Sequence, residues 1–164
     1  MAIGQQSEVA NAHEAGRHDV QQEAPQELLG WQRRHRRIAR RLVVEPHLLD
    51  VVVLPNLYGD ILSDTAAGLI GGLGLAPSGC YGDDYAYFES AHGSAPDIAG
   101  QNIINPTATL LSAAMMLEHL GWPDAARRLE SAITQVYAAG RCATRDQGGS
   151  ATTTEFCAAI AERL

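Results

Sequence analysis

Two short stretches of the chain carry residue types at spacings that suit chemistry. The first is Asn56-Leu57-Tyr58-Gly59-Asp60-Ile61-Leu62-Ser63-Asp64, in which Asp60 and Asp64 stand one helical turn apart. On a helix such residues share a face, with roughly 5–6 Å between Cβ atoms, and like charges so placed repel by roughly a few tenths of a kcal/mol. A hard divalent cation, Mg2+ or Mn2+, offsets that repulsion, because it prefers carboxylate oxygens and keeps positions open for water or substrate. A plainer alternative puts Asp60 in the first turn, where the helix dipole favours an acid, and leaves Asp64 in solvent. Spacing alone favours the plainer alternative.

The second stretch is Glu89-Ser90-Ala91-His92-Gly93-Ser94-Ala95-Pro96-Asp97-Ile98-Ala99-Gly100. A loop of Gly, Ser, Ala and Pro lets a ligand approach the backbone, whose amides then reach its phosphates or ring. An acid beside such a loop can bind the two hydroxyls of an adenosine ribose and repel a 2′-phosphate. Neither this loop nor Gly71-Gly72-Leu73-Gly74 fits the GxGxxG dinucleotide fingerprint. By chemistry alone an ordinary turn is at least as good a reading, and an isolated His92 is more often structural than catalytic.

The elements that would position these residues begin abruptly at Leu42. Asp50-Val51-Val52-Val53-Leu54 reads as a strand buried on both faces, as in parallel sheets, and Pro55 ends it. Residues 59–69 look helical up to Gly71-Gly72-Leu73-Gly74, and turn signals between short aromatic runs over 75–92 predict brief strands. A helix opens at Asn105-Pro106, a good N-cap followed by a good first residue, and closes at Gly121. A second runs from Pro123-Asp124 to Gly140 with Ala125, Leu129, Ile133, Val136 and Tyr137 on one stripe. Thr152-Thr153-Thr154-Glu155 makes a capping box for a last helix. Strand followed by helix at these spacings predicts an α/β protein. Residues 1 to about 37 show no sustained period, and residues 1–41 are left unassigned, expected to be a poorly ordered lead-in.

Composition excludes several functions. All 12 basic residues are arginine, and beyond Leu42 the chain is strongly acidic within an overall charge of −7. That balance argues against nucleic-acid binding, which needs clustered positive charge, and suits a protein that holds a cation. No apolar run approaches the ~20 residues that span a bilayer. The amino end lacks signal-peptide blocks, and three scattered cysteines read as free thiols, so a cytoplasmic protein is expected.

Taken together and in order, four motifs resemble the isocitrate/isopropylmalate dehydrogenases. They are Asn56 to Asp64, Gly71-Gly72-Leu73-Gly74-Leu75-Ala76-Pro77-Ser78, His92 to Gly100, and Asn105-Pro106-Thr107. Residues 42–164 are similar to the family's carboxy-terminal third. The resemblance implies that fold's carboxy-terminal portion, an incomplete sheet with packed helices. It implies oxidative decarboxylation of a 2-hydroxy acid, with 3-isopropylmalate the first expectation and tartrate, D-malate or isocitrate next. It makes Asp60 and Asp64 metal ligands for Mg2+ or Mn2+. Glu89, His92, Gly93, Ser94, Ala95, Pro96, Asp97 and Asn105 become the surroundings of the cofactor's adenosine half, and Asp97-Ile98 follows the pattern that takes NAD.

The same resemblance implies groups that are not found. The family's substrate arginines and catalytic tyrosine are not recognisable in residues 1–41. Arg36 falls where a further metal aspartate belongs, and a chain without lysine cannot lend a partner the family's catalytic lysine. No catalytic residue is therefore assigned. The leading expectation is a member truncated or frameshifted near residue 40 and inactive alone. A non-catalytic regulatory subunit pairing with a full-length dehydrogenase is the alternative, and an enzyme completed by a second fragment is a third. A homo- or heterodimer is expected, and Leu110, Met115 and Leu117 are expected to meet solvent, a partner or a rearranged core.

Overall fold

The computed structural model describes residues 26–164, with side chains from residue 34 onward. The chain divides into two units, up to Ile38 and from Ala39 to Leu164. Helix α1 (Gln26–Val44) crosses that division. Its presence corrects the expectation of no periodic element before residue 42. Leu28, Trp31, His35, Ile38 and Leu42 recur at alternating spacings of three and four, a helical stripe that scattered single apolar residues conceal. His35, Ile38 and Leu42 are half-buried while Arg34, Arg36, Arg37 and Arg40 are exposed, as an amphipathic helix requires. The expected poor order of residues 1–25 lies outside the described residues.

Residues 50–54 form no strand. Val51 and Val53 are 80% and 88% exposed, because a parallel strand exists only between hydrogen-bonding neighbours and the described residues supply none. Helix α2 (Asn56–Leu69) follows, its only buried residue Ala67, with Leu57 and Ile61 in solvent. Strands β1 (Pro77–Tyr81) and β2 (Ala86–Ser90) then pair as an antiparallel hairpin, Pro77 opposite Ser90 and Tyr81 opposite Ala86.

The hairpin lies on helix α3 (Thr107–His119), which in turn packs on α4 (Pro123–Ala139), and α4 on α5 (Thr153–Ala161). The core sits between these three helices: Ala114, Ala126, Leu129, Ala132, Ile133, Val136, Phe156 and Ile160. Leu110 and Leu117 pack against it, and Met115 is half-buried, so the helical apolar stripe finds a core within the chain. Buried Ser112 fixes hairpin to helix: its hydroxyl accepts from the Ser78 amide at 3.1 Å, and its single proton lies between the carbonyls of Glu89 (2.6 Å) and Ala108 (2.9 Å). Gly140 ends α4 in the left-handed region at φ 63°, and the capping box of Thr152 and Glu155 starts α5. Among the described residues no helix is long and apolar enough to cross a membrane. The three cysteines are free.

Candidate functional site

A cavity of about 640 Å³ opens between the 92–98 loop, the turn after α2 and the loop between α4 and α5. That volume falls within the range of small-molecule and cofactor sites. Leu73, Ala95, Ile98, Ile103 and Ile104 make its walls apolar, and Asn105, Asp146 and Arg145 concentrate the polarity at one side. The 92–98 loop leads into α3 and the 145–147 turn lies between α4 and α5, three helices that share one core, and the turn after α2 meets them there.

The 92–98 loop is shaped by its own backbone. Ala95 takes the left-handed region at φ 42°, ψ 62°, which costs an L residue of order 1 kcal/mol and is typical of ligand-clamping loops. Pro96 then opens a single 3₁₀ turn, Pro96–Ile98, with Asp97 exposed in it. His92 Nδ1 lies 2.9 Å from the Gly93 carbonyl, which can only accept. Nδ1 therefore carries a proton directed at that carbonyl.

The polar side is a closed network. Asn105, 3% exposed, donates through Nδ2 to the Tyr137 hydroxyl (3.1 Å) and to Asp146 Oδ2 (2.9 Å). Its Oδ1 accepts from the amide and hydroxyl of Thr107. Asp146 Oδ1 accepts the Thr144 hydroxyl at 2.6 Å, and Oδ2 also accepts from Gln147 at 3.0 Å. Partial burial pushes the Asp146 carboxyl up, but hydrogen bonds from Thr144, Asn105 and Gln147 outweigh it and hold the group below its ordinary value. Gly74 completes the fit, since a Cβ there would stand 3.3 Å from both Asn105 Cβ and Asp146 Oδ2.

The cofactor residues expected from sequence separate into groups. His92, Gly93, Ala95 and Asn105 line the main cavity, and Ser94 lines an adjoining depression of about 380 Å³ with Ala99, Gly100 and Asn102. Glu89, Pro96 and Asp97 line neither. Asn105 has both amide hydrogens and its oxygen engaged by protein, so only its backbone is left for a ligand. Leu73, Gly74, Arg145 and Asp146 were not among the expected residues. The sequence did hold a signal for the last pair, a short polar Thr-Arg-Asp-Gln-Gly-Gly run between two helices.

Asp60 and Asp64 are exposed on α2, and Asp60 Oδ2 accepts from Asn56 Nδ2 at 3.3 Å. Among the described residues no group of three or more His, Cys, Asp or Glu side chains is arranged to hold a metal ion. The two carboxylates have the right chemistry for a hard cation and make only part of a shell. They line neither cavity.

The family profile described as isocitrate/isopropylmalate dehydrogenase matches residues 8–160, reaching well ahead of the Leu42 start of the motif resemblance. The isocitrate/homoisocitrate dehydrogenase of Thermus thermophilus is 59% identical over 126 residues, 77% of this chain and 37% of that protein. An Arabidopsis thaliana mitochondrial protein named isocitrate dehydrogenase [NAD] catalytic subunit 5 is 57% identical over 75% of this chain and 33% of its own length. The crystal structure of isocitrate dehydrogenase from Methylococcus capsulatus superposes with a TM-score of 0.74 at 50% identity, covering 79% of this chain and 39% of that one. The chain thus spans little more than a third of the relatives it matches. On motif order, fold and similarity alike, it belongs to the isocitrate/isopropylmalate dehydrogenase family.

Proposed function

We propose that this chain is the NAD-binding carboxy-terminal part of a decarboxylating 2-hydroxy-acid dehydrogenase. The observation that carries the reading is the 640 Å³ cavity, apolar-walled and polar on one side, built from the family's His92–Ala95 loop and Asn105. Its apolar walls suit a flat aromatic ring, the backbone of Asn105 offers the ring's edge a partner, and Arg145 places a cation at the margin for a phosphate. Asp97, on the exposed turn beside the cavity-lining Ala95 and Ile98, favours free ribose hydroxyls and disfavours a 2′-phosphate, hence NAD over NADP. NAD, when bound, supplies the hydride acceptor for oxidation of the substrate hydroxyl. The residues seen here bind and orient that cofactor, and the cavity walls exclude water from its ring.

Isocitrate or 3-isopropylmalate heads the substrate classes, the former supported by the names of the similar proteins. Binding and decarboxylating such an acid needs substrate arginines, proton-transfer groups and the rest of a Mg2+ or Mn2+ shell, and no such shell is formed among the described residues. We propose that polypeptide beyond these residues contributes them, in a homo- or heterodimer of cytoplasmic location. No step is assigned to Asp60 or Asp64. A second reading, a non-catalytic subunit that binds NAD beside a full-length dehydrogenase, is favoured by the absence of any lysine.

A titration of NADH fluorescence tests the cavity directly. Gly93 lines it, and a Cβ there would meet nothing within 4 Å, so Gly93→Leu fills the space without strain elsewhere. The native chain should enhance NADH fluorescence saturably and the variant should not. Equal enhancement by both would remove the cavity as the site.

A further inference from the structure

We infer that Gln147 is a positioning residue that couples the polar side of the cavity to the exit of α2, the helix bearing Asp60 and Asp64. Only the ligand arm of this inference rests on the reading of the cavity as an NAD site.

A primary amide nitrogen carries two N–H donors. Gln147 Nε2 gives one to Asp146 Oδ2 at 3.0 Å and the other to the Gly71 carbonyl at 3.0 Å, across 76 residues of sequence. A carboxylate and a carbonyl both only accept, so the nitrogen, not the oxygen, must face them. The second acceptor belongs to a specialised turn. Gly71 and Gly72 leave α2 at φ 112° and 120°, a region L side chains rarely occupy, and the next residues, Leu73 and Gly74, line the cavity.

One amide group therefore holds the α2 exit and the carboxylate of the cavity in fixed register. A Cβ added at Gly74 would stand 3.3 Å from Asp146 Oδ2, so the 71–74 turn passes close to the same carboxylate and closes a ring: Asp146 to Gln147, Gln147 to Gly71, and the turn back to Asp146. Helix α2 has little else to orient it, with Ala67 its only buried residue. An element with so few buried contacts lies at the low end of local stability, where one hydrogen bond at its exit is a sizeable share of what holds it. Coupling through this ring has a contiguous physical route, as such a claim requires. A ligand that loads the cavity beside Asp146 thereby steadies the 70–76 turn and the root of the aspartate helix.

Amide hydrogen exchange in the 70–76 segment reads the coupling. Gln147→Met keeps the side-chain length and removes both donors; Asp146→Ala removes one acceptor. In the free protein each change should speed exchange at 70–76 by roughly two- to tenfold, the range one hydrogen bond spans. The double variant should be no faster than Gln147→Met alone. With NAD, exchange should slow over both 92–98 and 70–76 in the native chain, and over 92–98 only in Gln147→Met. Strictly multiplicative effects in the double variant, or NAD-dependent slowing at 70–76 that survives Gln147→Met, would overturn the coupling. If NAD slows exchange nowhere, the nucleotide reading fails and the double-variant comparison still decides the coupling. Should Gln147→Met unfold the chain, Gln147→Asn, which keeps the amide and shortens its reach, gives the same readout.

Discussion

Asp146 gathers three side-chain donors, from Thr144, Asn105 and Gln147, and this makes its ionisation part of the fold. Its folded value lies below its ordinary one, so the stabilisation is present above the usual carboxylate range and lost as pH falls through the lowered value. Glu155 behaves alike, held down by the backbone amide and hydroxyl of Thr152. Thermal melts should therefore fall as pH drops below about 4. Asp146→Asn, which cannot titrate, should flatten that limb while leaving the part due to Glu155; an unchanged limb would detach Asp146 from it. Asn105 is a harder position. Asn105→Ala strands the buried amide of Thr107 and takes a donor from Asp146, and should destabilise by about 2 kcal/mol in denaturant melts. Gly149 is harder still, because any Cβ there overlaps the Ala143 carbonyl oxygen. Gly149→Ala should cost at least about 2 kcal/mol, measured the same way.

At the scale of elements, local rules and tertiary rules part company. The α5 capping box is read directly from Thr152 and Glu155, and Thr152→Ala should cost about 1 kcal/mol in the same denaturant melts. The hairpin, α3 and α4 were equally legible, since turn residues, Asn105-Pro106 and the Leu129–Ile133–Val136 stripe are local signals. The valine run at 51–53 forms no strand for a physical reason: β-propensity describes a surface that fits between neighbours, and the described residues offer none to pair with it. Helix α1 was missed because its apolar residues are sparse and only their spacing betrays them. The site divided in the same way. Glycine-rich loop residues announced themselves through their motif, whereas Arg145 and Asp146 reach the cavity only through the packing of α4 on α5.

The described residues combine a small three-helix core with much apolar surface. Leu57, Ile61, Leu69 and Ile70 of α2 and its exit are all at least half exposed, as are Val51 and Val53. The cavity proposed for NAD, by contrast, is lined by the 92–98 loop, the turn after α2 and the loop between α4 and α5, so the nucleotide binding we propose requires neither Asp60 nor Asp64. A thermal-shift titration with NAD and NADP tests this most directly, because a ligand that binds only the folded state raises its stability as RT ln(1 + [L]/Kd). NAD at millimolar levels should raise Tm progressively, and NADP at the same concentration should raise it less. No shift with either nucleotide, or a larger shift with NADP, would contradict the account.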